Sequence, residues 1–133
     1  MIVRFKKTHP NAVLPFKKYS SDFCYDCVAT SREKIFPGVY KYGLGFALQV
    51  IRDENVSPDT RIAFDIRPRS SIYKTGMILS NSVGTVDENY TNEISAIFFI
   101  TSTKTYRPTK LATACVNYQY TSRPTSHSSK PTN

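Results

Sequence analysis

Apolar and polar residues alternate from Arg61 to Arg67: Ile62, Phe64 and Ile66 fall on one side, and Arg61, Asp65 and Arg67 on the other. Successive side chains of an extended chain point to opposite faces, so this period of two predicts a half-buried strand. The segment from Tyr42 to Val50 carries the same pattern in Leu44, Phe46, Leu48 and Val50, and predicts another. Ile2–Phe5, Met77–Leu79 and Ile94–Ile100 read as further short strands. No window repeats its apolar residues with a helical period, and prolines at 10, 15, 37, 58 and 68 interrupt the chain. Short strands separated by turns predict an all-β fold, a sandwich or barrel with little helix.

The connections carry turn chemistry. Phe36-Pro37-Gly38 predicts a tight turn ahead of a strand, and Asp53 to Asp59 a polar hairpin tip or surface loop. From Thr101 the character changes as Ser, Thr, Lys, Arg and Pro accumulate, and residues 121–133 offer no apolar anchor beyond their prolines. The expected organisation is one β domain over residues 1–120 and a basic, Ser/Thr/Pro-rich tail over 121–133.

Composition adds limits. The chain has 133 residues, of which 40% are hydrophobic, enough for a core in one domain. Its longest apolar run, Ile94–Ile100, is broken by Ser95 and is too short to cross a bilayer as a helix; the first residues lack the apolar stretch of a secretory signal. A cytoplasmic protein without membrane contact is the simplest expectation. The three cysteines include a Cys24-x-x-Cys27 spacing, but Cys115 stands apart, so free thiols on or near a strand are expected rather than a metal or redox centre. The net charge is +8, and no acidic residue follows Glu93, whereas Lys104, Arg107, Lys110, Arg123 and Lys130 do. A basic tail can meet nucleic acid or another polyanion, although its charges are dispersed as in a solvated tail.

Two segments bear chemistry. In Arg67-Pro68-Arg69-Ser70-Ser71 a strand ends on proline and is followed by a guanidinium and hydroxyls, groups that suit phosphate oxygens. Taken alone, it also reads as a surface turn. Asn81 to Tyr90 places an amide, a flexible glycine (Gly84), a carboxylate (Asp87) and an aromatic ring (Tyr90) close together. An amide can match the donor and acceptor edge of uracil, a carboxylate can take a proton from water, and a ring can pack on a deoxyribose and leave no room for a 2′-hydroxyl. The alternative is a plain hairpin with a core tyrosine.

Together, at their joint spacing, the segments resemble the second and third motifs of the trimeric dUTP diphosphatase (dUTPase) family. Pro68-Arg69-Ser70-Ser71, Asn81 and Gly84-Thr85-Val86-Asp87-Glu88-Asn89-Tyr90 match the motifs, and Ser21-Asp22-Phe23-Cys24-Tyr25-Asp26-Cys27-Val28-Ala29 aligns with the first. The resemblance extends over about residues 1–100. It implies a jelly-roll-like, β-clip subunit and a homotrimer with active sites shared between subunits. It also implies hydrolysis of dUTP to dUMP and pyrophosphate with Mg²⁺. By this resemblance Asp87 activates the attacking water, Asn81 contacts uracil with backbone from its strand, and Gly84 belongs to the substrate-binding turn. Tyr90 excludes ribonucleotides, Arg69, Ser70 and Ser71 bind phosphate oxygens, and Asp26 is the acid near the metal and triphosphate.

The chain departs from the family pattern at its C-terminal side. Cys24 replaces a glycine, and Thr91-Asn92 an Arg-Gly. The fourth motif survives only as an echo in Pro108-Thr109-Lys110-Leu111-Ala112-Thr113, and residues 114–133 contain neither the glycines nor the phenylalanine of the family's closing arm. These departures leave a second expectation open, a catalytically impaired dUTPase-fold binding or structural module with its tail on a partner. They also suggest a truncated, recombined or frame-altered end. A dCTP deaminase, which shares the fold and an Arg-Ser-Ser motif, fits the Asp87 to Tyr90 run less well. A compact member of this kind is compatible with a viral or phage origin, and then with the host cytoplasm.

Overall fold

The structure is a computed structural model that describes residues 1–101 and, as backbone, Lys110–Tyr120. Strands dominate. β1 (Ile2–Lys7) pairs antiparallel with β5 (Phe46–Ile51), from Ile2 opposite Ile51 to Lys7 opposite Phe46. A four-stranded sheet has the order β2 (Tyr25–Val28), β10 (Lys110–Tyr120), β6 (Thr60–Pro68), β8 (Gly84–Asp87). A second has the order β3 (Ser31–Phe36), β4 (Val39–Gly43), β9 (Ser95–Ile100), β7 (Met77–Leu79). Among the described residues the helical content is one short 3₁₀ turn, Ile72–Thr75, and no helix is long and apolar enough to cross a membrane. The non-sequential strand order gives a jelly-roll-like subunit.

The alternation in β6 does what period two requires: Ile62, Phe64 and Ile66 are buried, and Arg61 and Arg67 are exposed. Asp65 is the exception. It is buried on the outward side, where it accepts hydrogen bonds from Thr85 Oγ1 (3.1 Å) and Arg67 Nη2 (3.3 Å). Hydrogen-bonded partners make such burial of a carboxylate tolerable.

The single strand expected from Tyr42 to Val50 is two strands in different sheets. The chain turns at Gly45, where φ is +76° and an added Cβ would lie 2.7 Å from Thr30 Cγ2 and 2.9 Å from Ala12 Cβ. Only glycine fits that corner. Ile94 bridges the break, accepting from Leu44 N (2.9 Å) and donating to Phe46 O (2.9 Å). Leu44, Phe46 and Leu48 face one core on both sides of the corner, which is why the apolar alternation runs through it undisturbed.

Cys27, Phe64, Ile66, Leu79 and Phe98 close that core from the two larger sheets, with Ile94 just before β9, and Tyr42 meets Phe98 edge to face with ring centroids 5.8 Å apart. Cys27 is a buried thiol outside any disulfide, as expected, but Cys24 is disulfide-bonded. The Cys24-x-x-Cys27 spacing therefore makes neither a disulfide nor a dithiol pair. The described residues contain no group of three or more His, Cys, Asp or Glu side chains placed to hold a metal ion.

Pro37 and Gly38, with φ +79° at Gly38, turn β3 into β4 as a two-residue connection between Phe36 and Val39. The change of composition at Thr101 does not mark the end of the body. β10 pairs with both β2 and β6, its partners on β6 running from Pro68 to Thr60. Of the fourth-motif echo, Lys110 to Thr113 open this strand, whereas Pro108 and Thr109 lie outside the described residues, as does the tail 121–133.

Candidate functional site

The turn between β7 and β8 is tight. Ser82 N donates to Leu79 O (3.0 Å), and Val83 N donates to Asn81 O (2.6 Å) across Ser82, whose φ is +61°. A three-residue turn with positive φ at a non-glycine residue is an uncommon, strained conformation. It leaves the Asn81 side chain beside the start of β8. The glycine expected to supply flexibility has another role: Gly84 has no positive φ and pairs as an extended residue with Ile66. Its missing side chain is what matters, since a Cβ there would lie 2.9 Å from Asn81 Nδ2.

β8 ends on Asp87, an exposed carboxylate that no side chain among the described residues pairs with. The chain then turns: Tyr90 N donates to Asp87 O (3.0 Å), and Tyr90 Oη donates to Glu93 O (3.0 Å). Glu93 is fixed in its turn by Gly45 N, which donates to its Oε1 (3.2 Å). The tyrosine ring is thus held at both ends, 43% exposed, rather than buried as a core residue.

Asn81, Gly84, Asp87 and Tyr90 line one pocket of about 370 Å³, together with the apolar Ile66, Leu79 and Ile94 at its base. An apolar recess with a few convergent polar groups and a volume in the low hundreds of Å³ is typical of a small-molecule site. Ser80 and Ser95 to Ile97 complete its wall.

Arg69, Ser70, Ser71 and Asp26 do not line this pocket. They form a second group beyond the Pro68 end of β6. Pro68 ends β6, and β10 lies between β6 and β2, with Ala112 opposite both Pro68 and Cys27 and Thr113 opposite Asp26. That arrangement brings Arg69 Nη1 to 2.9 Å from Asp26 Oδ1. Nη1 is buried, yet its N–H groups do not point at an acceptor. The guanidinium is therefore near its counter-charge with donor capacity unspent. Ser70 and Ser71 are exposed beside it, where Ile72 N closes the turn on Arg69 O (2.9 Å).

A further pair was not legible in the sequence. Arg52, just after β5, donates from Nε to Glu88 Oε1 (2.7 Å) and from Nη2 to Glu88 Oε2 (2.8 Å). The hydrogen bond from Arg52 chiefly, with its charge, holds the Glu88 carboxyl below the ordinary carboxylate value, against the opposing effect of burial. Glu88 adjoins Asp87, but its partner is 36 residues away and no spacing rule links them.

No protein-family profile matches the chain. A deoxyuridine 5′-triphosphate nucleotidohydrolase of Picosynechococcus sp. is 32% identical over 101 residues, covering 73% of this chain and 64% of that protein. The enzyme of the same name from Wolinella succinogenes is 32% identical over 101 residues, covering 73% and 61%. The chain thus spans somewhat less than two thirds of the length of these curated relatives. A dUTPase from phage phi11 of S. aureus has the same fold, with a TM-score of 0.69 at 11% identity over 92% of this chain and 94% of the phage chain. The chain is thus similar in sequence to these nucleotidohydrolases over 101 residues and has the fold of the phage dUTPase.

Proposed function

We propose that the protein is a dUTP diphosphatase that hydrolyses dUTP to dUMP and pyrophosphate. The observation that carries this reading is the convergence of Asn81, Gly84, Asp87 and Tyr90 on one pocket. In it the Asn81 amide, with backbone from its strand, meets the uracil edge, where its donor and acceptor suit a base presenting both. The Tyr90 ring packs against the deoxyribose and leaves no space for a 2′-hydroxyl. Asp87 takes the proton of the water that attacks phosphorus. The attack needs alignment more than covalent participation, so rigid placement of these side chains supplies much of the acceleration.

Arg69, Ser70 and Ser71 bind the phosphate chain. The charge of the partly exposed Arg69 guanidinium, beside the exposed Ser70 and Ser71 hydroxyls, supports this role. Since this group does not line the Asn81 pocket, we infer that a site is completed between subunits of a homotrimer, the arrangement implied by the resemblance to the family. The phi11 dUTPase is described with a structural Mg(II) ion. Magnesium commonly takes most of its ligands from water and phosphate oxygens and only one or two carboxylates from protein. Asp26, partly buried beside Arg69, fits that limited demand without a cluster of acids. When bound, the ion would neutralise the triphosphate and polarise its oxygens.

The body that performs this chemistry is residues 1–120; residues 121–133, the proposed polyanion-binding tail, lie outside the described residues. Pyrophosphate release from dUTP with Mg²⁺, compared between wild type and Asp87→Asn, tests the assignment. Turnover that falls by roughly 10²- to 10⁴-fold in the variant is expected from loss of a general base. A wild-type trimer, verified by mass, without turnover would instead favour the impaired binding module.

A further inference from the structure

We propose that Arg52 is a positioning residue for Asp87, acting through Glu88 to hold the end of β8 in register with the pocket. The inference rests on the assignment of Asp87 as the group that activates water. It adds a residue outside every motif that the chain shares with the family.

Arg52 draws three segments together. Besides both Glu88 oxygens, it binds Thr60 O from Nη2 (2.6 Å) at the start of β6 and Ser57 O from Nη1 (3.3 Å) in the loop before it. Both partners of the ion pair are mostly withdrawn from solvent, with side chains 29% and 28% exposed. A two-pronged pair of this kind fixes orientation as well as distance, which a point charge on a flexible stem does not.

The direction of the restraint matters. Asp87 borders two hollows: the Asn81 pocket, and a second of about 720 Å³ lined by Arg52, Arg61, Asp65 and Glu88. Glu88 lines the second hollow and not the pocket. Anchoring Glu88 on that far side prevents the peptide between Asp87 and Glu88 from rotating. Ala63, opposite Asp87 on β6, fixes the other end of the same residue. Tyr90 shares the restraint, because its backbone N–H closes the turn on Asp87 O. Without the clamp, Glu88 would be a half-buried carboxylate lacking its partner, and turning toward water would carry Asp87 with it.

The test measures kcat and KM for dUTP, with Mg²⁺, on the full chain of wild type, Arg52→Ala, Arg52→Lys and Glu88→Gln. A misplacement of about 1 Å can cost on the order of 100-fold in rate, so Arg52→Ala should lower kcat by roughly 10- to 100-fold with little change in KM. Arg52→Lys, which keeps the charge and loses the fork, should recover only a minor part of that loss. Glu88→Gln should show an intermediate fall. If Arg52→Ala fails to fold, Arg52→Lys and Glu88→Gln decide by the same split. Unchanged kcat in the folded variants, or a rise in KM alone, overturns the positioning role while leaving the role of Asp87 intact. A wild type with no turnover overturns both, so the two failures are distinct.

Discussion

Gly84 sits directly beneath the Asn81 amide, and a methyl group on it would come within 2.9 Å of Asn81 Nδ2. The backbone of Gly84 is extended and within its ladder, so alanine is conformationally acceptable there. The contact is with the end of a flexible side chain, which can yield. Gly84→Ala should therefore fold, while pushing the Asn81 amide out of line with the base. A hydrogen bond lost to a buried polar group costs about 1–3 kcal/mol, which corresponds to a rise in KM of roughly 5- to 150-fold. Steady-state kinetics beside a thermal melt would separate the effects. A destabilised variant with unchanged KM would show that Gly84 serves the fold and not the amide.

The Arg52–Glu88 pair makes stability depend on pH. The Arg52 hydrogen bond first, then its charge, lowers the Glu88 pKa from the ordinary 4.5, with burial opposing. Arg52 is raised by the same hydrogen bond and stays charged. In the unfolded chain Glu88 takes up a proton as the pH falls past 4.5, whereas the folded protein resists until lower pH. The pair's contribution is therefore complete above the unfolded value and is lost as pH falls through the depressed folded one. Urea midpoints of wild type and Glu88→Gln should differ by a constant amount near neutrality and converge below pH 4.5. A gap that does not change with pH would rule out this account.

The pocket residues were legible in the sequence because Asn81, Gly84, Asp87 and Tyr90 belong to one short strand, β8, and the turns on either side of it, where local spacing decides proximity. Asp26 and Arg69 were legible as residue types but not as a pair, since their meeting depends on β10 lying between β2 and β6. β10 itself was hidden by its composition and not by its pattern: Ala112, Ala114, Val116, Tyr118 and Tyr120 alternate with Thr113, Cys115, Asn117 and Gln119, but few of them are the large aliphatic residues that mark a strand. β3 was hidden differently. All six of its residues are exposed, so no burial pattern marks Ser31–Phe36. The corner at Gly45 left the apolar alternation intact and could be found only from the crowding around its α-carbon.

Phe98 tests the core that these strands share. It is fully buried, and its ring meets Tyr42 at 5.8 Å and 83°. Phe98→Ala removes a ring that β9 projects into the core beside Tyr42 and leaves a cavity that the surrounding sheets cannot readily collapse. A loss of about 3–5 kcal/mol is expected for a large aromatic cut to alanine. Chemical denaturation would measure it, and a loss under about 1 kcal/mol would indicate a site that relaxes far more than its packing suggests.

Tyr90 offers a comparison of two substitutions that separates its ring from its hydroxyl. The hydroxyl binds Glu93 O at 3.0 Å and the ring forms a wall of the pocket. Tyr90→Phe keeps the wall and removes one hydrogen bond, so stability should fall by about 0.5–1.5 kcal/mol with discrimination between dUTP and UTP largely kept. Tyr90→Ala removes the wall and opens the space that a 2′-hydroxyl would need. Discrimination by exclusion depends on that surface being filled, so the ratio of kcat/KM for dUTP to that for UTP should fall by on the order of 10- to 100-fold. If both variants discriminate equally well, the ring does not guard the sugar. If Tyr90→Phe alone loses selectivity, the tether to Glu93, rather than the ring's bulk, sets the shape of the site.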